Sequence, residues 1–218
     1  MRNALDTAAP GGLSYPGALR DVTAAEIGRL RNVYRDAFHE THSEALGDKL
    51  LVDKHPLNLD HLGLIARVFP GTKVLVALRD PRDVCISCFT TDFALNNVTI
   101  RYHDLRETAR AYANTMRLWL RYREILPLEF HAYRYEDLVH DPRGVLRGIV
   151  AFLGLDWHDG LLESADQNVG RYVNTPSYTG VTERVNVRAV GRWKGYAGQL
   201  EPVLPLLQPY LEAFGYDH

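Results

Sequence analysis

An apolar run in the sequence ends in Arg79, and residues typical of a helix start follow it at once. Asp80 is a preferred N-cap residue and Pro81 suits the first helical position, so a helix is predicted to begin there. The free N–H groups and the positive dipole end of such a helix form an anion site. Ser87 lies about two turns into this helix, and its hydroxyl could join Arg79 at one phosphate. The alternative, an ion pair of Arg79 with Asp80 or Asp83 at the surface, stays open.

A second polar pair, Lys54 and His55, follows the short apolar run Leu50–Val52. The run is strand-like, although a segment this short is ambiguous. Lys54 carries a point charge that could reach a phosphate oxygen. His55 has an ordinary pKa of about 6.5, so it could be neutral at pH 7 and act as a base. A loop with a solvated Lys54 and a hydrogen-bonded His55 is the alternative.

Two further segments carry side chains suited to a ligand. Tyr135 stands where a predicted strand turns into an acidic loop, and its hydroxyl could reach a ligand; a purely structural loop is the alternative. Arg192 and Lys194 flank Trp193, and the neighbouring Gly191 allows close backbone approach. In a chain with four lysines, this clustering suggests a segment that covers an anion. A capped helix start with Trp193 buried is the alternative.

Other kinds of site find little support in the sequence. Cys85 and Cys88 show a C-x-x-C spacing, but they lie one turn apart in an apolar helix, which favours packed thiols over a redox pair or metal site. The nine histidines show no ligand spacing such as H-E-x-x-H, so we expect no metal. The 218 residues contain no G-x-S-x-G, G-x-x-x-x-G-K-S/T or G-x-G-x-x-G motif.

The overall composition is that of an ordinary globular domain. The 218 residues are 46% hydrophobic and 24% charged, with a net charge of −2. A nucleic-acid binder is usually strongly basic, so we expect no nucleic-acid partner. No stretch approaches the ~20 apolar residues of a membrane helix, and the first residues lack the apolar core of a signal peptide. We therefore expect no membrane segment and a cytoplasmic location.

The elements that must position these residues alternate between helices and strands, which indicates βαβ units and a parallel sheet flanked by helices. Helices are predicted over 23–45, 58–69, from 81 onward, and over 104–125, 142–153 and 201–213; strands are predicted over 73–79 and 130–135. The strand over 73–79 is apolar on both faces, which suits burial between helix layers. Residues 1–20 are expected to form a loose leader, residues 21–218 one domain, and 155–199 an irregular stretch within it.

The candidate segments, taken together, resemble a known family. In chain order they are Asp53-Lys54-His55-Pro56, Phe69-Pro70, Arg79-Asp80-Pro81-Arg82-Asp83 with Ser87, Tyr135-Glu136-Asp137-Leu138, Phe152-Leu153-Gly154 and Gly191-Arg192-Trp193. Their order and spacing are similar to the sulfotransferase family. The resemblance is to bacterial-type sulfotransferase domains often found behind tetratricopeptide repeats, which are themselves similar to tyrosyl-protein sulfotransferases.

The resemblance implies a P-loop-type α/β fold and the sulfuryl donor 3′-phosphoadenosine 5′-phosphosulfate. Arg79 and Ser87 match the pair that holds the 3′-phosphate of the donor in the family. Tyr135 and Arg192 match further donor contacts. The acceptor implied is a hydroxyl compound, which no segment of the sequence identifies.

The resemblance also implies residues for the transfer itself. Lys54 matches a lysine near the transferring sulfuryl group. His55 lies close to where some cytosolic members place a catalytic histidine, although the spacing differs. Because the leaving group is already a phosphate, a base and a cation suffice in principle, and no metal is implied.

One departure from the family pattern is large. The family binds the 5′-phosphosulfate with a loop of the type P-R-S-G-T-T after its first strand, and these 218 residues contain no such segment. We therefore expect a sheet without its first strand, and catalysis only where an upstream segment or another chain supplies the loop. The alternative is a non-catalytic relative that binds adenosine 3′,5′-bisphosphate or a protein partner.

Overall fold

The computed structural model of the chain describes residues 15–41, 50–162 and 189–216. They form helices and a small parallel sheet, which confirms the predicted α/β class. The strands are β1 (Lys73–Leu78) and β2 (Glu129–Arg134), and the α-helices are α1 (Ala24–Thr41), α2 (Leu62–Val68), α3 (Pro81–Thr90), α4 (Leu105–Ile125), α5 (Tyr135–His140), α6 (Pro142–Leu153), α7 (Ala197–Leu200) and α8 (Leu204–Phe214). Short 3₁₀ helices cover Gly17–Arg20, Pro56–His61, Thr99–His103, Arg192–Tyr196 and Glu201–Val203. No helix within these described ranges is both long and apolar enough to cross a membrane.

The chain divides into two compact units. The first holds the described residues up to Thr72 together with Leu118–Glu129, and the second holds Lys73–Arg117 with the described residues from Phe130 onward. The long helix α4 contributes residues to both units.

In the first unit, α1 begins with the capping box that the sequence predicts. The Glu26 carboxylate accepts the N–H of Thr23 at 2.7 Å, and the Glu26 N–H donates to the Thr23 hydroxyl at 3.3 Å. The predicted continuation of this helix to residue 45 lies outside the described residues. The unit's apolar core consists of Ala18, Val22, Leu30, Leu64 and Val68. Ala18 belongs to the 3₁₀ helix Gly17–Arg20, which lies in the described part of the expected leader.

The strand-like run Leu50–Val52 is not a strand, so this prediction was wrong. All three side chains are exposed, with Val52 at 69% of its free area. A strand needs a neighbour to take up its N–H and C=O groups, and among the described residues only β1 and β2 pair in a sheet. The helix predicted over 58–69 is two elements, the 3₁₀ helix Pro56–His61 and then α2.

In the second unit, β1 and β2 are neighbours in a two-stranded sheet. The predicted burial of β1 on both faces was wrong: Val76 is buried, whereas Leu75 is 36% exposed. The expectation assumed a wide sheet covered on both sides. The described sheet has two strands, and so offers less surface for helices to cover.

Helix boundaries in this unit follow local capping chemistry. Asp80 caps α3 and Asp141 caps α6, each followed by a proline at the first helical position, as the sequence predicts. Gly154 ends α6 with a φ of 75°, which glycine adopts without strain. Tyr135, however, begins α5 instead of an acidic loop, because two carboxylates in the first turn favour the helix.

The core of the second unit lies between α3, α4 and the C-terminal helices. Its buried members are Cys85, Ile86, Ala109, Leu200, Val203 and Leu207, with Trp193 partly buried against them. Cys85 and Cys88 are free thiols, and burial raises the pKa of both. The predicted packing of the thiols is therefore confirmed for Cys85, which belongs to the core, whereas Cys88 is half-buried.

Candidate functional site

Arg79 follows the last residue of β1, and its guanidinium makes three contacts in the second unit. It donates a hydrogen bond to the carbonyl oxygen of Ala189, lies 3.9 Å from the Asp83 carboxylate, and lies 5.5 Å from the centre of the Tyr135 ring. Its Nε is buried and has no hydrogen-bond partner among the described residues. Two of the predicted donor-binding residues, Arg79 and Tyr135, are therefore brought together.

The start of α3 is capped from within the chain. Oδ1 of Asp80 accepts the N–H of Arg82 at 2.8 Å, and the Asp80 carboxylate also accepts two bonds from the Arg82 guanidinium, at 3.0 and 2.7 Å. Both residues are buried. The prediction that the N–H groups of this helix start are free for a ligand is corrected for Arg82, whose N–H already donates to Asp80.

Asp83 lies one turn further into α3 and is 1% exposed. Its Oδ2 accepts the N–H of Gly191 at 2.7 Å, and its Oδ1 accepts the N–H of Trp193 at 2.8 Å. Burial raises the pKa of Asp83, whereas the two N–H donors and Arg79 act in the opposite direction. The surface ion pair considered for Arg79 thus exists with Asp83, but its carboxylate partner is buried.

Ser87 and Arg192 are placed less closely. Ser87 is half-buried in α3, and among the described residues no hydrogen bond joins its hydroxyl to Arg79. Its backbone carbonyl accepts bonds from the N–H and the hydroxyl of Thr91, at 3.1 and 2.7 Å. Arg192 is the exposed first residue of the 3₁₀ helix Arg192–Tyr196.

Lys54 and His55 belong to the first unit, and both are exposed. Nδ1 of His55 accepts the N–H of Leu57 at 3.3 Å and so caps the 3₁₀ helix that begins at Pro56. In a neutral imidazole whose Nδ1 accepts a bond, the proton resides on Nε2. His55 therefore has no lone pair free for a proton in this arrangement.

The second unit also contains a cleft of about 370 Å³ that sequence reasoning did not find. Its charged lining residues are Asp80, Arg82, Asp83, Arg134, Glu136 and Lys194. None of the six predicted site residues lines it, whereas Gly191, Trp193 and Lys194 of the predicted anion-covering segment do. Because the Arg82 guanidinium is paired with the Asp80 carboxylate, Arg134 and Lys194 are the lining cations best placed to face a ligand.

Glu136 accepts hydrogen bonds from two other residues that line the cleft. One carboxylate oxygen accepts the N–H of Asp80 at 3.0 Å, and the other accepts the Tyr216 hydroxyl at 2.7 Å. Burial and this bond raise the pKa of Tyr216. The Arg134 guanidinium stacks 4.1 Å from the Tyr216 ring centre and donates to the Gly215 carbonyl at 3.1 Å. The Nε of Arg134 is buried without a partner among the described residues.

Two arginines of the second unit are suited to bind an anionic group. Arg79 and Arg134 each follow or end a β-strand, and each keeps a buried guanidinium N–H without a partner in the described part of the chain. Planar guanidinium donors suit phosphate oxygens. Within residues 15–41, 50–162 and 189–216, no three His, Cys, Asp or Glu side chains converge to hold a metal ion.

Comparison with known sequences shows which proteins this chain is similar to. The profile of the Sulfotransferase family matches residues 3–159. An uncharacterized protein of Aquifex aeolicus is 30% identical over 195 residues, covering 89% of this chain and 25% of that protein. Protein-tyrosine sulfotransferase 2 of Gallus gallus is 28% identical over 184 residues, covering 78% of this chain and 47% of that protein.

A third relative acts on a different kind of molecule. The omega-hydroxy-beta-dihydromenaquinone-9 sulfotransferase of Mycobacterium bovis is 29% identical over 117 residues, covering 49% of this chain and 29% of that protein. The chain thus spans between a quarter and about half of the length of these relatives. Since the family profile covers well over half of the 218 residues, the chain belongs to the sulfotransferase family.

Proposed function

We propose that this chain binds 3′-phosphoadenosine 5′-phosphosulfate and forms the nucleotide-binding part of an enzyme that transfers the sulfuryl group to a hydroxyl acceptor. The observation that carries the proposal is the environment of Arg79. A half-buried guanidinium with an unused buried N–H lies at the carboxyl end of a strand and beside an aromatic ring, in a chain of this family. Ligands of parallel sheets bind at that end of the strands.

In this proposal, Arg79 and Ser87 bind the 3′-phosphate. The Tyr135 ring lies 5.5 Å from the Arg79 guanidinium and supplies a second contact to the nucleotide. Arg192 supplies a further cation from the exposed start of its 3₁₀ helix.

The transfer breaks the bond between sulfur and the bridging oxygen of the donor and forms a bond between sulfur and the acceptor oxygen. The acceptor proton passes to a base, and the leaving bisphosphate gains negative charge on the bridging oxygen. Lys54 is the candidate for stabilising that charge. The hydrogen bond to the Nδ1 of His55 argues that the base is another group.

The acceptor class rests on the relatives. One is named for protein tyrosine and another for an omega-hydroxy menaquinone, and both names point to a hydroxyl oxygen as the acceptor. A hydroxyl acceptor is therefore proposed for this chain, with no narrower class.

Binding of two nucleotides tests the proposal. A charged hydrogen-bonded contact contributes about 1.5–3 kcal/mol, so adenosine 3′,5′-bisphosphate should bind roughly 10- to 150-fold more tightly than adenosine 5′-monophosphate. Arg79→Ala should remove most of that preference, whereas the matched variant Arg121→Ala, which changes an exposed arginine of α4, should keep it. Equal affinities for the two nucleotides in the parent protein, measured by calorimetry, would refute the assignment.

A second candidate function is nucleotide binding without turnover. It is favoured by the absence of a P-R-S-G-T-T-type segment from these 218 residues. Transfer from labelled donor separates the two functions: we expect the 218-residue chain to bind the nucleotide but to transfer little, and a form supplied with such a segment to be active. Bisphosphate binding with no transfer in either form would establish the second function.

A further inference from the structure

The turn Gly191–Trp193 is a backbone anion site that the chain fills with its own carboxylate. Gly191 has a left-handed backbone conformation, with a φ of 73°, and Arg192 begins a right-handed 3₁₀ helix. Two such residues in succession point the N–H groups of Gly191 and Trp193 to the same side of the turn. Those two N–H groups, of Gly191 and Trp193, bind the two oxygens of the buried Asp83. Gly191, which the sequence suggested would let a ligand approach the backbone, thus donates its N–H to a side chain of the same chain.

Neighbouring contacts hold the same turn against α3. Arg79 donates to the carbonyl of Ala189, two residues before Gly191. The Arg82 guanidinium lies 3.7 Å from the centre of the Trp193 ring, and it also forms an ion pair with the Asp80 carboxylate. Trp193 also packs against the core of the second unit. The turn is therefore fixed at its backbone and at the Trp193 side chain.

These contacts give Asp83 a role beyond helix packing. We infer that Asp83 is a positioning residue for nucleotide binding: its carboxylate holds the Gly191–Trp193 turn and thereby sets the direction of Arg192. The inference rests on the proposed function, in which Arg192 contacts the donor. Asp83 itself is 1% exposed and both of its oxygens are bonded, so it acts through the turn and does not touch the nucleotide.

A double-mutant cycle tests this route of action. Asp83→Asn replaces one acceptor oxygen by an N–H₂ group and should weaken adenosine 3′,5′-bisphosphate binding about tenfold, the effect of one charged hydrogen bond. Once Arg192→Ala has removed the side chain that the turn directs, Asp83→Asn should cost less than about threefold further. The control is Asp141→Asn, which alters a carboxylate that accepts one backbone N–H at the start of α6, and it should leave the affinity unchanged.

Gly191 offers a second approach should Asp83→Asn fail to fold. Gly191→Ala meets no close atom, since its nearest neighbour is the Lys194 side chain at 3.8 Å, but it strains the positive φ. It should lower the affinity about as much as Asp83→Asn does. Gly191→Asn tolerates the left-handed region and should restore most of the affinity.

Hydrogen exchange measures how firmly the Gly191–Trp193 turn is held in the absence of nucleotide. In the parent protein the amides of Gly191 and Trp193 should exchange slowly, and Asp83→Asn or Gly191→Ala should accelerate at least one of them about tenfold or more. Asp141→Asn should leave both rates unchanged.

The outcomes separate the two proposals. If the parent protein binds no bisphosphate, the proposed function fails and the positioning role fails with it. If the parent binds but the variants at Asp83 and Gly191 bind equally well, only the positioning role is overturned. Equal losses on Asp83→Asn with and without Arg192 would also overturn it, because Asp83 would then act by another route.

Discussion

Asp80 offers a stability test whose magnitude follows from its contacts. Its carboxylate caps α3 through the Arg82 N–H and pairs with the Arg82 guanidinium at 3.0 and 2.7 Å, with both residues at least 90% buried. A lost N-cap costs about 1 kcal/mol, and removal of one partner of a buried ion pair costs about 3–5 kcal/mol. We therefore expect Asp80→Ala to lower the free energy of unfolding of the second unit by about 4 kcal/mol. Asp141→Ala, which removes an exposed cap, should cost about 1 kcal/mol.

The contribution of the ion pair can be separated from that of the cap. Hydrogen exchange of the α3 amides in increasing urea reports the opening of the second unit alone. In an Arg82→Met background Asp80 has already lost its buried ion-pair partner, so Asp80→Ala should cost no more than about 1 kcal/mol. If Asp80→Ala costs about 1 kcal/mol in both backgrounds, the buried pair contributes nothing and the reasoning is refuted.

Three further predictions concern single side chains in the first unit. In a catalytically active form, Lys54→Ala should lower kcat with little change in donor affinity, as expected of a group that acts in the transition state; a loss confined to affinity would contradict this. His55→Ala should keep a rate near that of the parent and the same rate–pH profile, because its Nδ1 already accepts the Leu57 N–H; a loss of about 10²–10⁴-fold in kcat would identify it as the base. Burial and the 2.9 Å bond to Asp53 raise the pKa of Tyr34 to about 12, so its contribution to stability is complete below pH ~10 and is lost as pH rises to about 12. Absorbance titration should show a tyrosine that titrates near pH 12, which Tyr34→Phe removes and Asp53→Asn shifts to lower pH.

The helix boundaries were predictable because they depend on residues close in sequence. Asp80 with Pro81, and Asp141 with Pro142, place a cap beside a proline, and both pairs begin helices. Such bonds form between side chain and backbone within three residues, so the local sequence contains all of the information. The environment of Leu50–Val52 depends instead on whether another strand lies beside it, which no local pattern encodes.

The candidate site was predictable only in part for the same reason. The strand end at Arg79 and the aromatic residue that it contacts follow from the order of elements and from the family resemblance. Asp83 is separated from Gly191 by 108 residues, and no pattern in the sequence links the two. Glu136 and Tyr216 are 80 residues apart. A signal existed in one case, since a glycine followed by a helix start is a candidate anion site. Which anion fills it is decided by packing.

The cysteines of α3 can report on the opening of this helix. Cys85 is fully buried and Cys88 partly so, and the raised pKa of each thiol keeps it in the less reactive protonated form. Both lie on the helix that carries Asp80 and Asp83, so a disulfide reagent can modify Cys85 only after that helix leaves its neighbours. The rate of Cys85 modification therefore measures how often the helix opens, without any introduced label. A nucleotide that binds beside Arg79 should slow that reaction in proportion to the fraction of protein occupied.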